Sequence, residues 1–320
     1  MLLYVIRRVG QSLLVLWAAF TLAFVILFIM PSDPVRLVLN SGGAGNVAAT
    51  VSPEQIAAIN AEFGFDRPPV VQYLSALGNA VRGDFGTSLQ SRQPVVAEIA
   101  SVLPSTLLLA SLALVFAVLW GTALAVVSTY TRMGWLRQFL LSLPSVGASV
   151  PAFWLGLLLI QIFSFKLGWF PPMGNKGWGS LVMPVVTLSL PVGAAIAQIL
   201  ARSLRTAMAE PYVVTARAKG ASRLYVLLRH AVRNAAIPPL TMIGLLVGQL
   251  VAGAVVTETV FSRAGLGRLT VSAVNRQDLP VVLGVVVLSA LIFVITSLVV
   301  DLLYSLIDPR VNVRSLASTT

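Results

Sequence analysis

The sequence predicts an all-α membrane protein with six transmembrane helices and a small helical extracytoplasmic subdomain between the first two. Three observations carry this prediction. Of 320 residues, 57% are hydrophobic and 10% charged, where a soluble chain carries about 25% charged residues. Six uncharged intervals recur, each long enough for a crossing that takes roughly 20 apolar residues. The basic residues fall unevenly between the loops that join them, as positive-inside bias requires.

Residues 1–31 comprise a short N-terminal segment and the first span, 9–31, which follows Arg7 and Arg8. Its apolar run exceeds the core of a signal peptide, about 7–15 residues, so it is expected to remain as an anchor. Residues 32–101 are expected outside. Within them, 41–50 is rich in Gly, Ala and Asn and reads as a loop. Ser52-Pro53-Glu54-Gln55 then opens a helix, with Ser as N-cap, Pro in the first helical position and Gln three residues after the cap. That helix should stop at Gly64. A second follows from Val70, Tyr73, Leu74, Leu77 and Val81 at helical spacing, ending at Gly83. The subdomain reads either as a contact surface or as a lid on the membrane part.

The other five spans are 99–131, 138–165, 177–201, 234–257 and 279–300, forming a core assigned to residues 102–307, with 308–320 as a C-terminal tail. The third and fourth spans are interrupted by Pro144, Gly147 and Pro151, and by Pro184, Pro191 and Gly193. Proline removes a backbone donor, and membranes tolerate this where protein or a watery cavity satisfies the freed carbonyl. Ser145, Ser149, Pro151, Gln198 and Glu258 are therefore candidates to line a pathway. Kinks that serve packing alone are the alternative.

With the N-terminus inside, the cytoplasmic side receives Arg7, Arg8, Arg132, Arg137, seven Lys/Arg between 202 and 233, Arg310 and Arg314. The outer short loops receive Lys166, Lys176, Arg263, Arg268 and Arg276. Thirteen against five places both termini in the cytoplasm. The net charge of +11 is then mostly this bias, and nucleic acid is not an expected partner.

No energy source is visible in the chain. Its three lysines, Lys166, Lys176 and Lys219, are followed by Leu, Gly and Gly, so none ends a nucleotide-binding loop. The six intervals carry no ionisable residue of the kind ion-driven carriers keep in their spans; Glu258 and Asp301 lie only at span ends. Cysteine is absent, and the single His230 has no ligand-type neighbour for a metal or catalytic site. Secondary carriers, channels and intramembrane enzymes are thereby disfavoured, and a partner that hydrolyses ATP is the expected drive.

The place for such a partner is the basic loop, 202–237. It reads as two short helices broken at Gly220, a good terminator. In the second, a 100° step puts Leu224, Leu227, Leu228, Ala231, Val232 and Ala235 on one arc, with Arg223, Arg229, His230 and Arg233 opposite. Such a helix can lie at the membrane surface with its apolar side inward; a helix simply held to anionic lipid is the alternative to a docking element.

These residues resemble the coupling loop of binding-protein-dependent ABC importer permeases. Thr215-Ala216-Arg217-Ala218-Lys219-Gly220 is similar to the version in the dipeptide/oligopeptide and nickel branch, and Leu228-Arg229-His230-Ala231 with Arg233-Asn234-Ala235 continues it. Val214 stands where the general motif has Glu. Further along, Gln72-Tyr73-Leu74, the stretch from Arg82 to Ser88, Leu103-Pro104-Ser105-Thr106-Leu107, Glu258-Thr259-Val260-Phe261 with Gly265-Leu266-Gly267, and Asp308-Pro309-Arg310 are similar to other signatures of that family. Ser32 replaces a usual Gly and Ala264 a usual Pro.

The resemblance covers nearly the whole chain and implies a type I ABC importer permease fold, as the B-type subunit of a bacterial inner-membrane importer. It implies a homologous second permease, two cytoplasmic ATPases (or one fused) that bind ATP and Mg, and an extracytoplasmic solute-binding protein. The chain itself would bind no cofactor or metal and perform no catalysis. Its coupling residues would be Tyr212, Thr215, Ala216, Arg217, Ala218, Lys219, Gly220, Ala221 and Arg223, the cations pairing with an acidic partner surface. Peptides are the solute the branch most often carries, nickel and other small solutes the alternative.

Overall fold

The computed structural model describes residues 2–29 and 66–307. The expected loop 41–50, the helix from Ser52 to Gly64 and the Asp308-Pro309-Arg310 signature lie outside them. In chain order the helices are α1 (Leu2–Ile29), α2 (Pro69–Val81), α3 (Val95–Tyr130), α4 (Gly134–Ser149), α5 (Ala152–Leu159) and α6 (Gly179–Met208). They continue as α7 (Pro211–Ala218), α8 (Arg223–Val226), α9 (Val232–Ala235), α10 (Ile237–Val260), α11 (Leu266–Asn275) and α12 (Leu279–Ile307). π-helical segments Ile160–Lys166 and Leu227–Ala231 extend α5 and α8. Among the described residues the only β feature is an isolated bridge between Thr87 and Pro94.

Where they are described, the six apolar intervals are largely helical, but they are not six equal spans. Among the described residues, four helices are long and apolar enough to cross a membrane: α1, α3, α6 and α12. The third interval is two helices, α4 and α5 with its π extension, bent by 101° and countable as one broken span. The break falls at Val150, held extended (φ −82°, ψ 122°) because Pro151 disfavours helical backbone in the residue before it. Helix α10 runs for 24 residues, Ile237–Val260, with the apolar stretch Leu245–Val260 within it.

The chain divides into two compact units. One comprises residues 1–104 and 264–294. Its core gathers Val95 and Ile99 of α3, Leu266 and Ala273 of α11, and Val281, Val282 and Val285 of α12. Gly284 lets the start of α3 approach closely, since a Cβ there would lie 2.8 Å from Val95 Cγ1. Helix α2 buries none of its residues among those described. It meets α1 through Tyr73, whose ring lies 5.8 and 5.4 Å from those of Phe20 and Phe24 and whose hydroxyl hydrogen-bonds Thr21 Oγ1 at 2.8 Å. The helix ends as its spacing predicts. Gly83 has φ +78°, Gly83 N donates to Ala80 O and Asp84 N to Asn79 O, the paired bonds of a glycine C-terminal motif.

The other unit comprises residues 105–263 and 295–320. Rows of residues four apart, on one helical face, meet at its centre: Leu109, Ala113 and Ala117 of α3, Leu188, Val192 and Ile196 of α6, and Leu246, Leu250 and Ala254 of α10. Small side chains on α3 let backbones come close. One close approach is Gly121 against Gly193, where a Cβ on Gly121 would lie 2.6 Å from Gly193 O. A Cβ on Gly193 would itself overlap the Trp120 indole. Gly193 is thus a packing position, not an interruption, and Gly193→Ala is expected to destabilise the chain by about 1–3 kcal/mol, the usual cost of overpacking. A thermal melt of the purified chain tests this; an unchanged midpoint would mean that Trp120 moves aside freely.

Helix α6 also corrects the expectation of a broken fourth span. It runs unbroken through Pro184 and Pro191. Pro184 cannot donate to the carbonyl of Ser180 four residues back, and Arg263 does so instead: Nη1 lies 3.0 Å from Ser180 O, 3.2 Å from Ser180 Oγ and 3.2 Å from Gly174 O. A side chain distant in sequence thus supplies the missing donor and keeps the helix continuous.

Candidate functional site

Residues 202–208 of the expected basic loop prolong α6, which ends at Met208, and the loop proper follows. Pro211 starts α7 in the position that suits its fixed φ and absent N–H. The helix closes at Gly220, φ +88°. Ala221 N donates to Ala216 O (3.1 Å) and Gly220 N to Arg217 O (2.9 Å), the two bonds of a Schellman turn. Ser222 then caps α8, its Oγ accepting from Tyr225 N at 3.2 Å.

What α7 buries is little. Val213 is buried and Tyr212, Ala216 and Ala221 partly so, while Thr215, Arg217, Ala218, Lys219 and Gly220 are exposed. The segment after it is anchored firmly. Leu227, Ala231 and Ala235 pack with Ala125 of α3 and with Leu200, Ala201, Leu204 and Ala207 of α6. The apolar side of this segment lies against the protein, which disfavours the alternative of a helix held to lipid alone. The 100° arc fails in part for a local reason. The π segment from Leu227 to Ala231 has wider turns than an α-helix, so the face shifts phase and leaves Leu224 and Leu228 exposed at 43% and 52%.

The cations divide by role. Arg223 is engaged within the chain, its Nη2 3.0 Å from Thr129 O and its guanidinium 5.8 Å from the centre of the Tyr130 ring. Arg217 and Lys219 project at the exposed tip. On the other side of α7, Tyr212, Arg229, His230, Arg233 and Asn234 line a cavity of about 700 Å³, and the buried Tyr212 hydroxyl has no hydrogen-bond partner. His230 is exposed and meets the Tyr225 ring edge-on at 5.7 Å. Among the described residues, no three His, Asp or Glu cluster as a metal would need.

The candidate pathway residues do not converge on one place. Ser145 and Gln198 share a cavity of about 280 Å³ with Ser128, Arg202 and Arg205. Ser149 turns back to its own helix, Oγ donating to Ser145 O at 2.8 Å, and Pro151 occupies the bend. Glu258 is fully buried and accepts a hydrogen bond from Thr106 Oγ1 at 2.6 Å. In this conformation it braces α3 to α10.

Two buried groups carry no local signal in the sequence. Arg263 stands in the sequence as one more outer-loop charge, yet it is 2% exposed. Burial pulls its pKa below the ordinary value while the charge of Glu258 opposes that shift. Its partner carbonyl at Ser180 is implied by Pro184, but nothing local in the sequence names the donor. Asp278, also buried, accepts from Ser88 Oγ (2.5 Å), Leu89 N (3.2 Å) and Gln90 N (3.3 Å). It thereby fixes the loop that follows the Arg82-to-Phe85 stretch.

Comparison with known proteins gives consistent matches. Residues 113–313 match the family described as "Binding-protein-dependent transport system inner membrane component". Residues 1–110 match the corresponding N-terminal family, "Binding-prot-dependent transport system membrane comp, N-term". The chain is 38% identical over 314 residues to the glutathione transport system permease protein GsiC of Escherichia coli (strain K12), covering 98% of this chain and 100% of that protein. It is 39% identical over 318 residues to GsiC of Salmonella typhimurium (strain LT2), with the same coverage.

Among solved structures, an inward-facing MetNI methionine ABC transporter matches with TM-score 0.57 at 17% identity, over 66% of this chain and 96% of that one. An amino acid ABC transporter with histidines matches with TM-score 0.50 at 21% identity, over 67% and 94%. These two likenesses concern the fold.

Proposed function

The chain belongs to the family of binding-protein-dependent transport system inner membrane components, and from that premise we propose that it is the half of an ATP-driven importer through which peptide-like solutes pass. It is a multi-pass permease subunit of an ABC importer. A second, homologous permease completes the pathway, ATPase subunits carrying ATP and Mg dock on the α7 tip, and a solute-binding protein delivers cargo from outside. Both termini face the cytoplasm, which the distribution of basic residues supports. The likeness to glutathione permeases supports a short peptide as solute.

The observation that carries this reading is the mechanical form of the loop. An exposed, capped tip at 215–221 leads directly into residues packed against α3 and α6. A partner that moves the tip therefore moves the ends of two core helices. Arg217 and Lys219 offer it positive charge.

The test is ATP hydrolysis by the complex purified from its native membrane with its partners. Glutathione or a dipeptide, with the binding protein present, is expected to stimulate it, and the chain alone is expected to hydrolyse nothing. Stimulation by nickel and not by peptides would overturn the choice of solute. Hydrolysis by the isolated chain would overturn the division of labour.

A further inference from the structure

The cytoplasmic ends of α3, α4 and α6 enclose a basic crevice that the importer reading does not use. Two cavities of about 280 and 190 Å³ adjoin there, sharing Ser128, Leu141 and Arg205. Four arginines from three segments line them, Arg137, Arg202, Arg205 and Arg223, and no carboxylate does. Arg223 is held by Thr129 O and Tyr130, and Arg205 makes one long contact, Nε to Ala201 O at 3.4 Å. Arg137 and Arg202 are exposed. So many like charges in one crevice call for a counter-anion.

The shape says which kind. Away from the arginines the lining is mostly apolar, with Leu124, Leu140, Leu141 and Pro144 beside the polar Ser128, Ser145 and Gln198. Ser145 lies on the same wall, eight residues along α4 from Arg137, which is about 12 Å at helical rise. The crevice thus has a charged head and an apolar depth directed into the membrane span. At the same end of α3 and start of α4, Tyr130 and Trp135 are exposed at 45% and 68%, as aromatic residues at the headgroup level of a bilayer are. Basic pockets between helices on the cytoplasmic side suit anionic lipid headgroups.

We propose that this crevice seats one anionic phospholipid, its phosphate among Arg137, Arg202 and Arg205 and an acyl chain along Leu124, Leu140 and Pro144. The proposal rests on the membrane placement of these helices and is independent of the solute and of the drive. An acidic surface of a partner protein would satisfy the charges but leave the apolar depth unfilled.

Native mass spectrometry of the solubilised complex, titrated with phosphatidylglycerol or phosphatidylcholine, tests this. Phosphatidylglycerol is expected to bind and phosphatidylcholine not. Arg202→Gln with Arg205→Gln, both at exposed positions, is expected to weaken phosphatidylglycerol by about 30-fold, the combined effect of two interfacial arginines. Ser145→Phe, which leaves every arginine in place, is expected to weaken it as well by filling the acyl seat. Equal binding of phosphatidylcholine, no effect of the double variant or of Ser145→Phe, full competition by inorganic phosphate, or loss of the lipid when ATPase subunits join the permease would each overturn the proposal.

Discussion

Gly220→Arg is expected to abolish uptake while the chain stays in the membrane at its normal level. Gly220 has φ +88°, a conformation that costs a residue with a Cβ about 1–2 kcal/mol. A Cβ there would meet nothing within 4 Å, so the chain's own packing is undisturbed. That strain is small beside a typical stability of about 5–15 kcal/mol, and the protein should fold. The damage falls on what the tip must fit: a long cation would stand where α7 turns back at the docking surface. Gly220→Ala separates the two effects, carrying similar strain with only a methyl group. It is expected to keep most of the uptake. Normal transport by Gly220→Arg, measured as accumulation of labelled peptide in whole cells, would contradict a docking role for this turn.

Arg263→Ala is expected to cause the largest loss of stability, on the order of 3–5 kcal/mol, as when one partner of a buried charged network is removed. Three contacts vanish together, to Gly174 O, Ser180 O and Ser180 Oγ. The Ser180 carbonyl is then left with no donor, because Pro184 has none to give. Glu258, fully buried, loses the neighbouring positive charge. Arg263→Lys keeps the charge but not the planar array of donors, and an intermediate loss is expected. Melting in detergent and the steady-state level of the protein are the readouts. A wild-type melt for Arg263→Ala would mean that α6 tolerates Pro184 unaided.

How far the sequence foretells these features depends on whether their causes are local. Helix ends at Gly83 and Gly220 are legible because a glycine after a periodic run can adopt positive φ and close the last turn. The break at Val150 is legible from Pro151, but the 101° angle is not, because packing of the two arms sets it. Pro184 and Pro191 carry the same local signal and yet leave α6 whole. For Pro184 the deciding donor, Arg263, lies far along the chain. An α-helical period predicts the buried face of the basic loop only in part, because the π segment at 227–231 changes that period without any residue that announces it. Glu258 looked like a pathway residue from its position at a span end; its bond to Thr106 joins two stretches far apart in sequence and hides it from any opening.

The central claim is that a partner ATPase grips the exposed tip of α7. The chain contains no cysteine, so Ala218→Cys, at an exposed position, introduces a single reactive thiol. Cross-linking from that thiol in native membranes is expected to capture the ATPase subunit, with a yield that changes when ATP is added. Adducts with lipid alone, or with no ATPase subunit under any nucleotide condition, would contradict the coupling role of the loop.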